Sequence, residues 1–324
     1  MIVFRADLSP QSGLFHLRRC AWLASLLGKN NQVLICSRAD KKTAKFLAEK
    51  KVPVALVKDP AALDIRAVKA IIFDLPVFSS QDVALLEKAK KAGLKTIQFV
   101  TAGSESRSVD ILVDPCCGPV PTAATVACRL GGTEYALLHH KFRHFHKAKR
   151  KYRKKIRNIF INLGDLLPYR DLRAIVETLH RLGFKMKIAP GLNLKKADKR
   201  NLMKIYPGIH FCGRSESPAR AYFEADLALI TPGEEALEAA AVGTPALCMS
   251  PDKGHDALSE ARAGLGIGVN VPALTEWSVP AIRAAIEPLD RKTRERMGTA
   301  GKALVDGLGV HRFLKILKEN GIIA

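Results

Sequence analysis

The amino-acid sequence predicts an α/β protein of two Rossmann-like domains that face a cleft. Short apolar runs alternate with amphipathic stretches of helical length over residues 1–115, and the alternation resumes at residue 156. This order is typical of parallel sheets that are covered by helices on both faces. A run rich in cations separates the two arrays. We therefore expect an N-terminal domain over residues 1–140, a basic linker over 141–157 and a C-terminal domain over 158–324.

The first array follows from apolar runs that are broken by polar turns containing glycine or proline. Its strands are expected at residues 2–4, 32–36, 52–57, 67–73, 96–100 and 111–113, and its helices at 14–27, 39–50 and 80–92. Residues 118–138 are less regular, with two prolines and a pair of glycines, and no element is predicted there.

The second array repeats this alternation after the basic run. Its strands are expected at residues 159–163, 185–189, 210–212, 227–230, 246–249 and 265–269, and its helices at 169–182, 194–205, 218–224, 234–242 and 254–263, with a helical tail from 279 onward. In folds of this class, ligands bind beyond the carboxyl ends of the strands.

The composition favours anionic partners. The net charge of +21 suits nucleotides, phosphates, nucleic acid or an acidic membrane, and a basic proteome or a need for solubility explains it equally well. Seven cysteines without a CxxC pair indicate small buried side chains in a reducing compartment. No apolar run reaches the roughly 20 residues of a membrane-spanning helix, and the N-terminus lacks a secretory pattern. We expect a cytoplasmic protein with no metal and no other cofactor.

Residues 141–157, KFRHFHKAKRKYRKKIR, are the densest charge run of the chain. Aromatic residues among the cations are typical of segments that bind nucleic acid or a membrane surface. Of these two partners we expect an anionic membrane surface rather than nucleic acid. A solvated linker explains the run as well, and its place between the two arrays favours that interpretation.

Residues 226–245, DLALITPGEEALEAAAVGTP, predict a buried strand, a tight turn and an alanine-rich helix. Gly233 lies in the turn, where backbone N–H groups at the helix start can face an anionic ligand. Glu238 follows about one turn later, where its carboxylate can bind a ribose. An ordinary helix start, with acidic residues favoured by the helix dipole, explains the same residues.

Residues 5–20, RADLSPQSGLFHLRRC, lead from the first strand into the first helix. His16 lies near the start of that helix, and a histidine there suits proton transfer near neutral pH. Arg19 can meet a phosphate or pair with Asp7, and we assign both residues, together with His16, to the catalytic set. A polar surface or capping role for His16 is the alternative.

Two motifs together carry a family resemblance. The pattern RADxSxxxGxxHxxRC, followed much later by Glu238-x-x-x-x-Gly243-x-Pro245, resembles the UDP-sugar hydrolases of pseudaminic acid synthesis and their relatives in spore-coat polysaccharide synthesis. That group is similar in architecture to the GT-B glycosyltransferases and to the MurG-type transferase that makes lipid II. The resemblance implies a GT-B-like fold, with a UDP-sugar as substrate.

The resemblance also implies roles for single residues. His16 would assist the attack of water, Gly13 would lie near the phosphates, and Glu238 would hold the ribose. Gly164 and Gly233 would join Glu238 in the nucleotide-binding set of the C-terminal domain.

The chain departs from the family pattern at three loops. Phe15 replaces a glycine before His16, and Asp165 follows Gly164 where the family has a second glycine. Glu234 and Glu235 stand where the family has small residues, and two carboxylates there would repel a diphosphate. Either these side chains turn away, or the nucleotide binds differently, or binding has been lost.

The sequence therefore predicts hydrolysis or transfer of a UDP-linked amino sugar in cell-surface glycan synthesis, with His16 as general base. One alternative is a GT-B glycosyltransferase with a sugar or lipid acceptor. Another is a non-catalytic protein that docks on an anionic membrane or nucleic acid through its basic run.

Overall fold

The computed structural model describes residues 1–8, 13–38, 40–50, 52–101, 104–115, 126–165, 167–213, 216–250, 256–271 and 277–324. The chain divides into two compact units. Unit 1 comprises Met1–Leu137 together with Gly309–Ala324, and unit 2 comprises Leu138–Leu308.

The described residues of unit 1 form a parallel sheet of seven strands in the order β3-β2-β1-β4-β5-β6-β7. The strands are β1 Ile2–Ala6, β2 Val33–Arg38, β3 Val54–Val57, β4 Ala70–Asp74, β5 Lys95–Phe99, β6 Val109–Asp114 and β7 Val126–Gly131. The first helices of the unit are α1 Phe15–Leu27, α2 Lys41–Ala48 and α3 Ser80–Lys91.

Strand β1 shows why this sheet is buried on both faces. Successive side chains of a strand point to opposite faces. Phe4 therefore packs into the core under α1, and its neighbour Val3 packs into a second core with Leu85 and Leu86 of α3. Such strands read as continuous apolar runs, which is how they were found in the sequence.

The described residues of unit 2 form a parallel sheet of six strands in the order β10-β9-β8-β11-β12-β13. The strands are β8 Asn158–Asn162, β9 Lys185–Ile188, β10 Ile209–Phe211, β11 Leu227–Ile230, β12 Ala246–Met249 and β13 Gly268–Val271. The helices are α4 His140–Lys147, α5 Tyr169–Arg181, α6 Lys196–Ile205, α7 Pro218–Glu224, α8 Glu234–Ala241, α9 Asp256–Gly264, α10 Val279–Ile286 and α11 Arg291–Leu304.

The first six strands of unit 1 have the same order as the six strands of unit 2, and the α/β class predicted from the sequence is confirmed. In each unit the first strand lies beside the fourth. The chain leaves these two strands in opposite directions across the sheet. Each unit therefore has a topological switch point between two central strands, β1 and β4 in unit 1 and β8 and β11 in unit 2.

The basic run belongs to unit 2 and differs from the linker expected over residues 141–157. Its first half forms α4, in which Phe142 is buried against Tyr222 of α7. Further on, Arg150 donates through Nη1 to the Phe223 carbonyl at 2.8 Å and to Thr244 Oγ1 at 3.0 Å. Part of the charge run thus fixes its own segment against the rest of unit 2.

The final helix, α12 Gly309–Glu319, returns to unit 1. Its Phe313 is buried and meets the ring of Phe99 edge-on at 5.3 Å between centroids. The expected C-terminal domain over 158–324 therefore differs from the observed division, because residues 309–324 complete the core of unit 1. Within the described part of the chain, no helix combines the length and apolarity needed to cross a membrane.

Candidate functional site

The carboxyl ends of β1 and β4 lie side by side in unit 1, where Ala6 pairs in register with Asp74. Because the connections diverge there, this edge is where an open α/β sheet forms a crevice for ligands. Helix α1 follows β1 and carries His16 and Arg19 in its first turns. Both side chains reach the end of β4.

Asp74 joins His16 and Arg19 in one buried cluster. Asp74 Oδ1 lies 2.6 Å from His16 Nδ1 and 2.6 Å from Arg19 Nη2, and Oδ2 accepts from Arg19 Nε at 2.8 Å. The exposed fractions are 0% for Asp74, 1% for His16 and 6% for Arg19. The Arg19 guanidinium also lies over the rings of Phe15 and Phe99, 5.0 and 5.3 Å from their centroids. The ion pair is thus shielded from water by aromatic side chains.

The charge state of Asp74 determines the tautomer of His16. Burial alone would raise the pKa of Asp74, but Arg19 and then His16 outweigh burial and hold that pKa well below its usual range. An ionised carboxylate only accepts hydrogen bonds, so the proton between the two groups belongs to His16 Nδ1. In the neutral ring, Nε2 is then the basic nitrogen.

Cys20 completes the surroundings of this carboxylate. Its Sγ donates to Asp74 Oδ2 at 3.4 Å. Burial and the nearby Asp74 charge raise the pKa of Cys20 well above its usual value, so the thiol stays protonated. Cys20 therefore acts as a weak donor here and not as a nucleophile.

Asp7 pairs with Arg5 and not with Arg19, which corrects one of the two roles expected for Arg19. The Asp7 carboxylate accepts from Arg5 Nη1 at 2.6 Å and from Arg5 Nη2 at 2.5 Å. It also accepts from the Arg38 backbone N–H at 2.7 Å. Residues two apart in an extended segment lie on the same face, which brings Arg5 and Asp7 together. Asp7 therefore ties the end of β1 to the end of β2.

Gly13 lies just before α1 with a φ of 60°. This left-handed conformation costs a glycine little, since it has no Cβ. The preceding part of the expected phosphate loop, residues 9–12, lies outside the described residues.

Unit 2 repeats the arrangement at the ends of β8 and β11, where Asn162 pairs in register with Ile230. Gly164 follows β8 with a φ of 76°. Gly233 follows β11 and directly precedes α8. The structure thus places Gly164, Gly233 and the start of α8 at the switch-point edge of one sheet.

Glu238 lies one turn into α8 and is partly buried. Its carboxylate is hydrogen-bonded to the hydroxyl of Tyr222, which accepts from Asn162 Nδ2 at 3.0 Å. Burial, and then the charges of Glu238 and Glu235, raise the pKa of Tyr222 well above its usual value. The phenol therefore stays protonated and donates to Glu238, so this carboxylate is oriented by a buried partner.

Of the two acidic residues in the first turn of α8, Glu235 folds back onto the turn that precedes the helix. Its Oε2 accepts from Thr231 Oγ1 at 2.8 Å. Both Glu234 and Glu235 lie where the helix dipole favours negative charge.

The sequence analysis gave Asp74 no role, although this residue directly follows the strand predicted over residues 67–73. The signal was the strand order: in a doubly wound sheet, the end of the fourth strand neighbours the end of the first. Tyr222 was missed because it reads as a core aromatic within α7. Among the described residues, no group of three or more histidine, cysteine or acidic side chains is arranged to hold a metal ion.

No protein-family model matches the sequence, and a comparison with curated proteins finds no match. Solved structures match along nearly the whole chain. MurG of Acinetobacter baumannii is 14% identical with a TM-score of 0.66, and the alignment covers 98% of this chain and 99% of MurG. The calicheamicin glycosyltransferase CalG4 is 14% identical with a TM-score of 0.65, covering 99% of this chain and 98% of CalG4.

A third similar structure is a putative UDP-N-acetylglucosamine 2-epimerase from Listeria monocytogenes. It is 12% identical with a TM-score of 0.63, and the alignment covers 98% of this chain and 96% of the epimerase. At these identities the likeness establishes the fold and not the chemistry. The fold is that of the GT-B glycosyltransferases, in which each of the two α/β units contains a parallel sheet.

Proposed function

We propose that the protein hydrolyses or transfers a UDP-linked amino sugar in the synthesis of a cell-surface glycan, either a nonulosonic acid or a polysaccharide. The observation that carries this proposal is the buried His16–Asp74 pair at the switch point of unit 1. A carboxylate that fixes Nδ1 of a histidine and leaves Nε2 basic is the arrangement of a general base.

In the hydrolytic reaction, His16 Nε2 takes a proton from water as the water oxygen attacks at the sugar–phosphate linkage. The bond to the departing UDP breaks, and UDP keeps the electron pair. Asp74 stabilises the imidazolium that forms. Arg19 is a positioning residue, because its Nε and Nη2 are both bonded to Asp74 and hold the carboxylate in place.

The nucleotide is assigned to unit 2. Glu238 accepts hydrogen bonds from the ribose, oriented by Tyr222, and the backbone near Gly164 and Gly233 approaches the phosphates. By the family resemblance, Gly13 is proposed to lie near a phosphate. Two similar structures support a nucleotide ligand: the Listeria protein carries UDP-N-acetylglucosamine in its name, and the glycosyltransferase SsfS6 was solved with thymidine diphosphate.

Different observations favour the two reaction types, hydrolysis and transfer. The resemblance of the first-loop and Glu238 motifs to UDP-sugar hydrolases favours water as the acceptor. The glycosyltransferases among the similar structures favour a sugar or lipid hydroxyl instead. Release of UDP from a panel of UDP-amino sugars, measured with and without candidate acceptors, decides between them. Release without an acceptor identifies a hydrolase, and release that requires an acceptor identifies a transferase.

A non-catalytic binding protein is the rival from a different class. The shielding of His16 from water and the carboxylates in the first turn of α8 favour it. If no UDP-sugar in the panel is turned over under either condition, the enzyme proposal is wrong and the binding protein takes its place.

A further inference from the structure

Arg262 is a fully buried arginine whose guanidinium is bonded at one nitrogen. It lies on α9, and its Nε donates to the Pro232 carbonyl at 3.2 Å. Within the described residues, Nη1 and Nη2 are shielded from water and have no hydrogen-bond partner. A buried donor without a partner is costly, and a buried charge more so.

The three other buried arginines of the described residues are bonded more completely, and Arg19 donates through Nε and Nη2 to Asp74. Arg5 donates through Nε, Nη1 and Nη2 to Asp82 and Asp7. Arg294 of unit 2 donates through Nε to the Leu289 carbonyl at 3.1 Å and through Nη2 to the Arg153 carbonyl at 2.6 Å. Among the described residues, Arg262 thus differs because both of its terminal nitrogens lack a partner, whereas Arg294 lacks one at Nη1 alone.

Arg262 lies in the last turn of α9, beside the start of β13, and its side chain reaches the turn that follows β11. Pro232, to which it donates, belongs to the turn between β11 and α8. The charge of Arg262 also acts on Cys248 near the end of β12, where it opposes the burial that raises the pKa of this thiol to about 12. Its Cβ lies 3.7 Å from the position of a Cβ built on Gly268, the first residue of β13. The guanidinium is therefore placed among the last strands of the sheet, beside the start of α8.

The turn and the arginine together suit a diphosphate. The first backbone N–H groups of α8 and the positive end of its dipole favour an anion. Glu234 and Glu235 in its first turn carry negative charge, and the nearby guanidinium of Arg262 offsets part of the repulsion that they exert on an anion. A guanidinium with two free nitrogens matches the geometry of phosphate oxygens.

We propose that Arg262 is a binding residue for the diphosphate of a nucleoside diphosphate, at the turn between β11 and α8. This inference rests on the proposed function, since it takes the nucleotide to bind in unit 2. Both terminal nitrogens are shielded, so binding requires the turn at Pro232 to shift until phosphate oxygens reach Nη1 and Nη2. The arginine then compensates for the two carboxylates that distinguish this turn from that of the UDP-sugar hydrolases.

The test compares binding and stability in Arg262→Met, with Arg294→Met as the matched control. Calorimetry measures the affinity for UDP, uridine and inorganic pyrophosphate, and thermal denaturation measures the melting temperature without ligand. Arg262→Met should weaken UDP and pyrophosphate binding by about tenfold to a hundredfold and leave uridine binding unchanged. The melting temperature of Arg262→Met should stay the same or rise, because the substitution removes a buried charge that is only partly compensated by hydrogen bonds.

The control separates a ligand role from a structural one. Arg294→Met should lower the melting temperature, because it removes two hydrogen bonds to backbone carbonyls, and it should not discriminate UDP from uridine. Arg262→Lys keeps a charge in the same place and serves as a second variant if Arg262→Met does not fold. It should weaken UDP binding less than the methionine does.

Each outcome has a defined meaning. Equal losses for UDP and uridine in Arg262→Met, or no loss for either, overturn the Arg262 proposal while nucleotide binding stands. A third outcome is that pyrophosphate binding depends on Arg262 while UDP binds no more tightly than pyrophosphate. This outcome supports the diphosphate site and overturns the assignment of a nucleotide to it. If the wild-type protein binds neither UDP nor pyrophosphate, both proposals are wrong.

Discussion

At the scale of single residues, Asp74 has the most consequences because three side chains of α1 depend on it. It orients His16, pairs with Arg19 and accepts from Cys20, all away from water. Removing one partner from a buried ion pair leaves the other charge uncompensated. The stability of this edge of unit 1 and the orientation of the proposed base therefore rest on the same carboxylate.

We expect Asp74→Ala to destabilise the protein by about 3–5 kcal/mol at neutral pH, because Arg19 then remains buried without its counter-charge. The matched control is Asp64→Ala. Asp64 pairs with Arg66 at 2.6 Å, but their side chains are 58% and 90% exposed. Surface pairs contribute little, so the control should unfold at the wild-type urea concentration. Equal losses in the two variants would contradict the account.

The loss of stability in Asp74→Ala should depend on pH in a defined direction. The pKa of Asp74 is lower in the folded protein than in the unfolded chain. Its stabilisation is therefore fully present above the unfolded value of about 3.9 and is lost as pH falls through the lower folded value. The difference between wild type and Asp74→Ala, measured by urea denaturation, should thus be full at pH 7 and shrink below about pH 4.

Glu238 supports a separate prediction about the nucleotide. If its carboxylate binds the ribose, Glu238→Ala should weaken UDP binding by about 1.5–3 kcal/mol, roughly tenfold to a hundredfold. Tyr222→Phe removes the donor that orients Glu238 and should have a smaller effect in the same direction. Glu260→Ala, on the exposed face of α9, is the control. Calorimetry that finds the same UDP affinity in Glu238→Ala and in the control would remove Glu238 from the site.

The sequence predicted these residues to different degrees. His16 and Glu238 could be proposed from their distance to a helix start, which is a local property. The contact between Arg19 and Asp74 depends on which strand lies beside β1, and the chain separation of 55 residues gives no local sign of it. Arg5 and Asp7 lie two residues apart, but the sequence equally allows Arg19 as the partner of Asp7. Only the tertiary structure distinguishes the two, because it places Arg19 against Asp74.

At the scale of secondary-structure elements, small residues determine how closely α8 and α11 approach. The α11 residue Gly301 lies so close to α8 that a Cβ there would lie 2.9 Å from Ala240 Cα. A Cβ on Gly298 would lie 1.8 Å from Tyr152 Oη and 2.5 Å from the Gly243 carbonyl oxygen. Tyr152 itself donates to that carbonyl at 2.9 Å. The basic segment, α8 and α11 therefore form one packed layer.

We expect Gly298→Ala to destabilise the protein by about 1–3 kcal/mol, because the added methyl group has no space and forces the tyrosine and the backbone apart. Gly264→Ala is the control, since nothing among the described residues lies within 4 Å of a Cβ at that glycine. Urea denaturation compares the two variants. A Gly298→Ala protein as stable as the control would mean that the layer is more loosely packed than described.

Elements with strong apolar periodicity were predicted close to their observed bounds, and elements without it were missed. Strand β11 is bounded as expected because all four of its residues are buried. Helix α4 was missed because cations and histidines surround its single buried residue, Phe142. Strand β7 was missed because half of its residues are exposed and because it follows a stretch containing two prolines.

At the scale of the whole molecule, the return of α12 to unit 1 is the feature that local sequence reasoning could not supply. The apolar residues Val310, Phe313 and Leu317 predict an amphipathic helix. They do not say which sheet it covers, because either sheet offers an apolar face. A tail that continues from helices of unit 2 is assigned to unit 2 by default, and only tertiary contacts correct this.

The net charge of +21 is also a property of the whole molecule, and the basic run divides into two kinds of cation. Arg150 is bonded to unit 2, and burial lowers its pKa to about 10. Arg153 pairs with Asp226 at 2.8 Å. The six lysines of the same segment are exposed instead, and four of them lie close together in the chain: Lys149, Lys151, Lys154 and Lys155. We call these four residues the lysine face, and we predict that it contacts an anionic membrane.

Neutralising the lysine face by changing all four residues to glutamine should abolish binding to anionic vesicles, and the fold should survive because these side chains are exposed. Binding of the wild type should fall steeply as salt rises. Sedimentation with vesicles containing phosphatidylserine measures this, and vesicles of neutral lipid are the control. A wild-type protein that ignores anionic vesicles at low salt would show that the lysine face is only solvated surface.

The central claim is that His16 is a general base oriented by Asp74. The most direct test is the turnover of His16→Asn on the UDP-sugar that the wild type uses. The control is His210→Asn, at an exposed position of the edge strand β10. General-base assistance contributes about 10²–10⁴-fold, so turnover should fall by that factor in His16→Asn and stay at the wild-type level in the control. UDP affinity by calorimetry should change little, because the role lies in the transition state. Wild-type turnover in His16→Asn would contradict the claim.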